Sequence, residues 1–512
     1  MDERRGRAPR RPASRGRRAA LVAASALALV LAGCTGDLDF WNPPEPVPVP
    51  APPDRPTVTP PPLPRVDWSA ELPALELPGA VPWTAAMAGD GFTAMSRWAT
   101  PPGRGDFADA LRGRAARTVQ GFAERNGAGW RPTADVDPGA DGAACLPVRV
   151  QPAPSITVSC AIVTAAGDVV AERLLTTERR PEALVDGVVL YGDADGGLLG
   201  DGSRVFSARG AAQIARLVDD ALRVEGLLAH GEARIGGLTG EELRRALDDT
   251  VVMPDGSLVV HAPADDESGG RLAVPVRIDA TRATPELSAF GRSLRAGIRA
   301  AEPFAPTGTG FEPPDCALVL CVALTFDDGP GGDTARLLDE LAAASAPATF
   351  FVLGSRVEAY PELAAREVRE GHQLGNHSFD HPDLTTLDDE QLREQVQRTQ
   401  DAIAAATGRR VGMLRPPYGA YDERVQELVG LPLVFWSIDT LDWEEPGLDA
   451  LLESAVAGAE RGDIILMHDI HEPSVDAVPA IIAGLRDRGF ALATVTSVTG
   501  PLPPAGGVVR HG

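Results

Sequence analysis

Two adjacent carboxylates, Asp327 and Asp328, stand in the stretch Leu324-Thr-Phe-Asp-Asp-Gly-Pro330, at the end of an apolar run over residues 318–326. Neighbouring residues of a strand point to opposite faces. A carboxylate pair serving one site therefore belongs where the strand ends and a loop begins. There, one carboxylate can bind a metal while the other moves protons. Asp-Asp-Gly-Pro alone is also a good turn, so the weight rests on its combination with residues further along the chain. Downstream runs Gly371-His-Gln-Leu-Gly-Asn-His-Ser-Phe-Asp-His381. His377 and His381 are four apart, a spacing that a helical turn would bring to one face. Two histidines and one carboxylate are a common ligand set for a hydrolytic zinc, with a position left for water. The chain has 8 histidines in 512 residues, and five of them lie between 372 and 471. That clustering argues against scattered surface use.

Three further stretches come later: Arg415-Pro-Pro-Tyr-Gly419, Asp439-Thr-Leu-Asp-Trp443 and Ile465-Leu-Met-His468-Asp469. Each comes after a short apolar or β-branched run, at 411–414, 433–438 and 464–467. In this order, and with the apolar segment Ala348-Thr-Phe-Phe-Val-Leu-Gly354, they resemble the motifs of the polysaccharide deacetylases, the NodB-homology domain of carbohydrate esterase family 4. The resemblance covers residues 315–500.

The resemblance implies roles. Asp328, His377 and His381 would bind a divalent metal, Zn²⁺ first, with Co²⁺ or Ni²⁺ compatible with the same N/O ligands. Asp327 would be the general base, held by a bidentate Arg415. A backbone N–H near Tyr418 would complete an oxyanion hole. His468 would protonate the leaving amine, oriented by Asp442, whose negative charge raises its pKa. Trp443 and Leu466 would line a small acetyl pocket. His471 matches no motif, Asp380 reads as a solvated loop residue, and Asp439 reads equally well as structural.

The elements that must carry these residues alternate. Apolar runs are followed by helical stretches at 334–344, 387–407 and 448–460, the order of parallel strands joined by crossover helices. Motifs at strand ends fit a barrel with its chemistry on the C-terminal face. The expected fold is α/β: a distorted (β/α) barrel of seven or eight strands over residues 311–512, preceded by an α+β domain over 68–310. In that domain, 155–165 and 258–260 read as strands and 211–228 has helical periodicity. Thr239 is a candidate cap with Glu242 three residues on. Residues 253–260 read as a turn leading into a strand. The order is similar to the extracellular domain of RsiV-like anti-sigma factors, which also precedes some peptidoglycan deacetylases. No catalytic set is evident there. His230 and His261 read as surface or core residues, and the domain's expected role is binding a protein or glycan, or spacing.

The N-terminal end points outside the cell. Residues 1–34 hold eight arginines against Asp2 and Glu3, then an apolar run ending in Leu31-Ala-Gly-Cys34. This resembles a bacterial lipoprotein signal, with Cys34 the lipidated residue and the membrane the first partner. The alternative is an uncleaved anchor, for which a run of about 14 residues is short. Residues 35–67 read as a linker, with twelve prolines between 42 and 66. At ~3 Å per residue, such a spacer reaches ~75 Å. Four cysteines remain as two close pairs, Cys145 with Cys160 and Cys316 with Cys321; in an exported chain they suggest disulfides. Neither pair has zinc-finger spacing. All 48 basic residues are arginine, which excludes a Schiff-base lysine, and the net charge of −24 argues against nucleic acid. The expected protein is an extracytoplasmic hydrolase removing N-acetyl groups from cell-wall sugar, peptidoglycan first. Chitin oligomers or xylan are alternative substrates. A catalytically idle wall-binding or sensing lipoprotein is the other class.

Overall fold

The computed structural model describes residues 63–512, apart from short segments within 68–78, at 103–104, within 135–150, at 230, at 266–269, at 300–301 and at 308–310. The signal-like segment, Cys34, most of the proline-rich linker and His230 lie outside the described residues. Among the described residues, no helix is long and apolar enough to cross a membrane.

Residues 65–299 build a sheet of ten strands that is largely antiparallel. Its path runs Val81–Gly89, Phe92–Thr100, Ser155–Ala166, Val169–Arg179, Ala183–Asp193, Arg271–Ile278, Leu258–Asp265 and Thr250–Val252. Arg65–Val66, read from composition as linker, pairs antiparallel with Arg271–Ile278. The helix Ala208–Val224 buries Ala211, Ile214, Ala215, Val218 and Leu222, the three-and-four spacing of one apolar face. Ser207 caps it, its side chain accepting the Gly210 N–H. The helix Gly240–Ala246 has Thr239 at the cap position, as expected, but the Thr239 side chain makes no cap bond. His261 is buried, its Nδ1 3.3 Å from the Asp249 carboxylate. Cys145 bonds Cys160 and Cys316 bonds Cys321.

The C-terminal part is organised on the strand Leu320–Asp327, all eight residues of which are buried. A strand covered on both faces needs such an unbroken apolar run. Leu320, Val322, Leu324 and Phe326 share a core with residues of the helices Thr334–Ala343 and Glu472–Asp487. The alternate residues Thr325 and Asp327 bond to the Arg415 guanidinium. Thr349–Val352 and Ile464–His468 flank this strand in parallel, and Gln373–Asn376 and Ile438–Asp439 lie beyond them. Phe490–Ala493 pairs with its first half.

The expected strands at 411–414 and 433–438 are reduced. Leu414 makes only bridges, to Asn376 and Leu433. The second run splits into Leu433–Val434 and Ile438–Asp439. Between the two pieces, Arg415 Nε and Nη2 donate to the carbonyls of Val434 and Phe435. The pairings still form a circuit, from Leu320–Asp327 through 349–352, 373–376, Leu414, 433–439 and 464–468 back to the start. Six strands share the described sheet, fewer than the seven or eight expected.

The two parts share a core. Trp83, Trp98, Phe107 and Ile156 pack in one cluster with Leu318, Val319, Cys321, Ala491 and Ala493. Trp130 Nε1 donates to the Leu318 carbonyl at 3.0 Å. Residues 311–512 produced alone would expose that apolar surface, a loss of about 3–5 kcal/mol at the usual value of burial. The isolated segment is expected to melt below the full chain or to aggregate. Equal melting temperatures for the two would show that the shared cluster contributes nothing.

Candidate active site

Asp327 closes its strand, and Asp328 follows in the left-handed region at φ 74. Aspartate tolerates that conformation better than most residues. The turn lets both carboxylates face one cavity, of about 520 Å³, instead of opposite sides of a sheet. The same cavity is lined by His377, His381, Tyr418, Trp443, Leu466 and His468.

His377 and His381 come together differently from the expected helical turn. The backbone between them is an irregular loop with Ser378 and His381 both at φ 68. The Asn376 side chain accepts the Ser378 N–H, and Gln395 accepts the N–H groups of Phe379 and Asp380. Gln395 also donates to Asp380 Oδ1, so Asp380, though exposed, stabilises the loop. The two imidazole rings end 5.0 Å apart.

Asp328, His377 and His381 converge. Asp328 Oδ1 lies 3.5 Å from His377 Nε2 and 3.4 Å from His381 Nε2. His377 Nδ1 is 2.7 Å from the Arg415 carbonyl, which can only accept. That bond places the proton on Nδ1 and leaves a lone pair on Nε2. Burial pushes the His377 imidazole down to about 3, so it is neutral. An unprotonated nitrogen thus faces a carboxylate oxygen that is buried and has no hydrogen-bond partner. Electron pairs aimed at one another with no donor between them fit a divalent cation.

Asp327 is differently engaged. Arg415 Nη1 donates to its Oδ1 at 2.8 Å and to Thr325 Oγ1 at 2.8 Å. The expected bidentate pair is therefore a single contact, because Nε and Nη2 are spent on the two carbonyls. The guanidinium also lies 4.0 Å from the Phe351 ring centroid. Asp327 Oδ2 stays on the cavity side, 3.6 Å from His377 Nε2. Burial raises the Asp327 carboxyl, with the charge of Arg415 opposing it.

Across the cavity, His468 ends its strand. Its Nδ1 is 2.8 Å from Asp442 Oδ1, and its backbone N–H donates to Asp442 Oδ2 at 2.8 Å. Burial would lower the His468 imidazole, but the Asp442 bond and charge overcome this and hold it up at about 9. Asp442 correspondingly sits below the usual carboxylate range despite its burial, held there by His468. With Nδ1 committed, Nε2 is the atom available for proton transfer.

Tyr418 has φ 60 within the turn 416–419 and is 70% exposed, its ring 4.5 Å from His381. Trp443 is 53% exposed on the rim and Leu466 is buried at the wall. His471 and Asp439 also line the cavity. Asp439 Oδ1 accepts the Leu441 N–H, a turn role consistent with its structural reading. Thr325, and Trp436 in the cavity wall, were not anticipated. Thr325 lies two residues before Asp327, on the same strand face, and that alternation was the available signal. Asp469 is a further buried residue of the motif stretch that sequence reading left without a role.

Residues 319–432 match the family model described as polysaccharide deacetylase. The peptidoglycan-N-acetylglucosamine deacetylase PgdA of Listeria monocytogenes serotype 1/2a (strain 10403S) is 42% identical over 180 residues, covering 35% of this chain and 39% of that protein. The peptidoglycan-N-acetylmuramic acid deacetylase PdaC of Bacillus subtilis (strain 168) is 40% identical over 178 residues, covering 35% and 38%. The chain thus spans about two fifths of the length of these two relatives. A chitooligosaccharide deacetylase of Rhizobium leguminosarum bv. trifolii is 38% identical over 189 residues, covering 33% of this chain and 88% of that protein. With nearly the whole of that protein matched, and its own residues gathered at one cavity, this chain belongs to the polysaccharide deacetylase family.

Proposed function

We propose that this protein is a metal-dependent hydrolase that removes N-acetyl groups from cell-wall amino sugars, with peptidoglycan its substrate. The observation that carries the reading is one cavity with three converging side chains able to hold a metal, a carboxylate oxygen on the cavity side and a carboxylate-held imidazole. A wall-binding protein has no use for all three. The circuit of parallel strands supports reading the fold as the family's distorted barrel.

Asp328, His377 and His381 would hold the metal, which we read as zinc. Bound there, it would supply a Lewis acid for the acetyl carbonyl and the attacking water. Asp327 Oδ2 takes the proton of that water, while Arg415 holds Oδ1 and its charge favours the ionised carboxylate against burial. His468 Nε2 gives a proton to the departing amine, and Asp442 supports the imidazolium. The backbone N–H of Tyr418 is the proposed second donor to the developing oxyanion. Leu466 and Trp443 enclose the acetyl methyl.

The location is part of the proposal: lipid-anchored through Cys34, outside the membrane, on a proline-rich spacer. The two disulfides support an oxidising compartment. Residues 68–310, read as RsiV-like, would bind or space the wall.

The test is acetate release by the full chain from purified peptidoglycan, chitin oligomers and acetylated xylan, with zinc and with a chelator. Zinc-dependent release from peptidoglycan, abolished by chelation, is the expected result. Release only from chitin oligomers or xylan would overturn the substrate and keep the chemistry. Zinc binding with no release from any of them would favour the sensing reading.

A further inference from the structure

Asp469 has no part in the chemistry above, yet its surroundings tie it to that chemistry. It follows His468 directly and its side chain is fully buried. Its Oδ2 accepts from the Thr334 hydroxyl, and Thr334 Oγ1 in turn accepts the Gly331 N–H at 2.7 Å. The carboxylate also lies flush against Gly329: a Cβ there would stand 2.2 Å from Oδ2 and 2.3 Å from Oδ1. Gly329 and Gly331 flank Pro330 in the loop leaving Asp327 and Asp328. On its other side, the Gly329 carbonyl accepts the Leu353 N–H at 3.0 Å. One buried carboxylate, covalently next to His468, thus pins the metal-ligand loop at two points. Asp328 sits in that loop at φ 74, a conformation uncommon for a non-glycine residue although aspartate tolerates it better than most.

We propose that the Asp469–Thr334 link is a positioning device that sets Asp328, and with it the metal site, in register with His468. Asp469 and Thr334 touch neither substrate nor metal; they act through Gly329 and Gly331. The proposal rests on reading Asp328 as a metal ligand. It goes beyond the motif roles, because Thr334 lies outside every motif and its partner is 135 residues away.

Three variants of the full chain test it. Thr334→Val removes the hydroxyl at constant shape. Thr334→Ser restores it. Gly329→Ala forces the carboxylate off the loop while leaving Asp469 and Thr334 themselves unsubstituted. The readouts are zinc affinity by competition with a chromophoric chelator, melting of the metal-free protein, and kcat and KM for acetate release. Thr334→Val and Gly329→Ala are expected to weaken zinc by about tenfold or more, the usual effect of losing an outer support of a ligand. They should lower kcat more than they change KM. Thr334→Ser is expected within about twofold of wild type. Zinc affinities of Thr334→Val and Gly329→Ala that stay within about twofold of wild type would overturn the link. So would a Thr334→Ser as weak as Thr334→Val, or losses that only follow the melting temperature. If the wild type binds zinc and releases no acetate, the catalytic reading fails while the zinc comparison still decides this one.

Discussion

Asp327→Asn is expected to lower kcat by about 10³-fold, the middle of the range for loss of a general base, while zinc stays bound. The amide keeps the shape of the carboxylate. Its oxygen can still accept from Arg415 Nη1, which now lies 2.8 Å from Oδ1. What disappears is the basic Oδ2 on the cavity side. The proposed ligands Asp328, His377 and His381 are untouched, so zinc affinity should move by only a few-fold. A cost in stability is also expected, because Arg415 is fully buried and loses its counter-charge. Removing one partner of a buried pair destabilises by about 3–5 kcal/mol at most, and four remaining acceptors around Arg415 (the Thr325 hydroxyl, two carbonyls and the amide oxygen) reduce this. Kinetics of acetate release, zinc competition and a melting curve on the same preparation check all three statements. A kcat within tenfold of wild type would remove Asp327 as the base. Loss of zinc would make it a ligand instead.

Much of this site was legible because its residues sit where local rules put them. A carboxylate pair after an apolar run marks a strand end, and the turn at Asp328 is the feature that makes both members useful. Thr325 could have been found by counting back two residues from Asp327. The histidine pair was harder. Spacing of four suggests a helix, but the loop is set by the side chains of Asn376 and Gln395, and positive φ at Ser378 and His381 leaves no mark in composition. The single Arg415–Asp327 contact was equally hidden. It depends on where the carbonyls of Val434 and Phe435 turn, and that turn is also why the 433–438 run is not one strand.

Contacts between distant parts of the chain were out of reach for the same reason. The first half of Leu320–Asp327 reads as a generic buried strand. Only the fold shows Leu318, Val319 and Cys321 packed with Trp83 and Trp98, so the base of that strand rests on the ten-stranded sheet that precedes it in the chain. The strand's far end carries Asp327.

Asp442→Asn should have the second largest effect, visible chiefly in pH dependence. His468 is held up at about 9, above its unperturbed 6.5, by the Asp442 bond and charge against the pull of burial. In the proposed mechanism its protonated form is the competent acid, so activity should be full below that value and fall as pH rises through it. A dication at Asp328 opposes the imidazolium, which places the alkaline limb of the metal-loaded protein at or below 9. The asparagine variant removes the Asp442 charge and leaves the burial, so the imidazole should drop from that raised value, with the charges of Asp327 and Asp328 still opposing the drop. The alkaline limb should move down by about two units or more, and kcat at neutral pH should fall by about 10²–10³-fold. Stability follows the same sign. The raised pKa contributes about 3 kcal/mol that is present below the unfolded-state pKa and lost as pH climbs through 9. The wild type should therefore lose melting temperature between pH 7 and 10, and the variant should lose less over the same interval. Parallel pH–rate profiles for the two proteins would mean that another group sets the limb, and that Asp442 holds the His468 ring without tuning it.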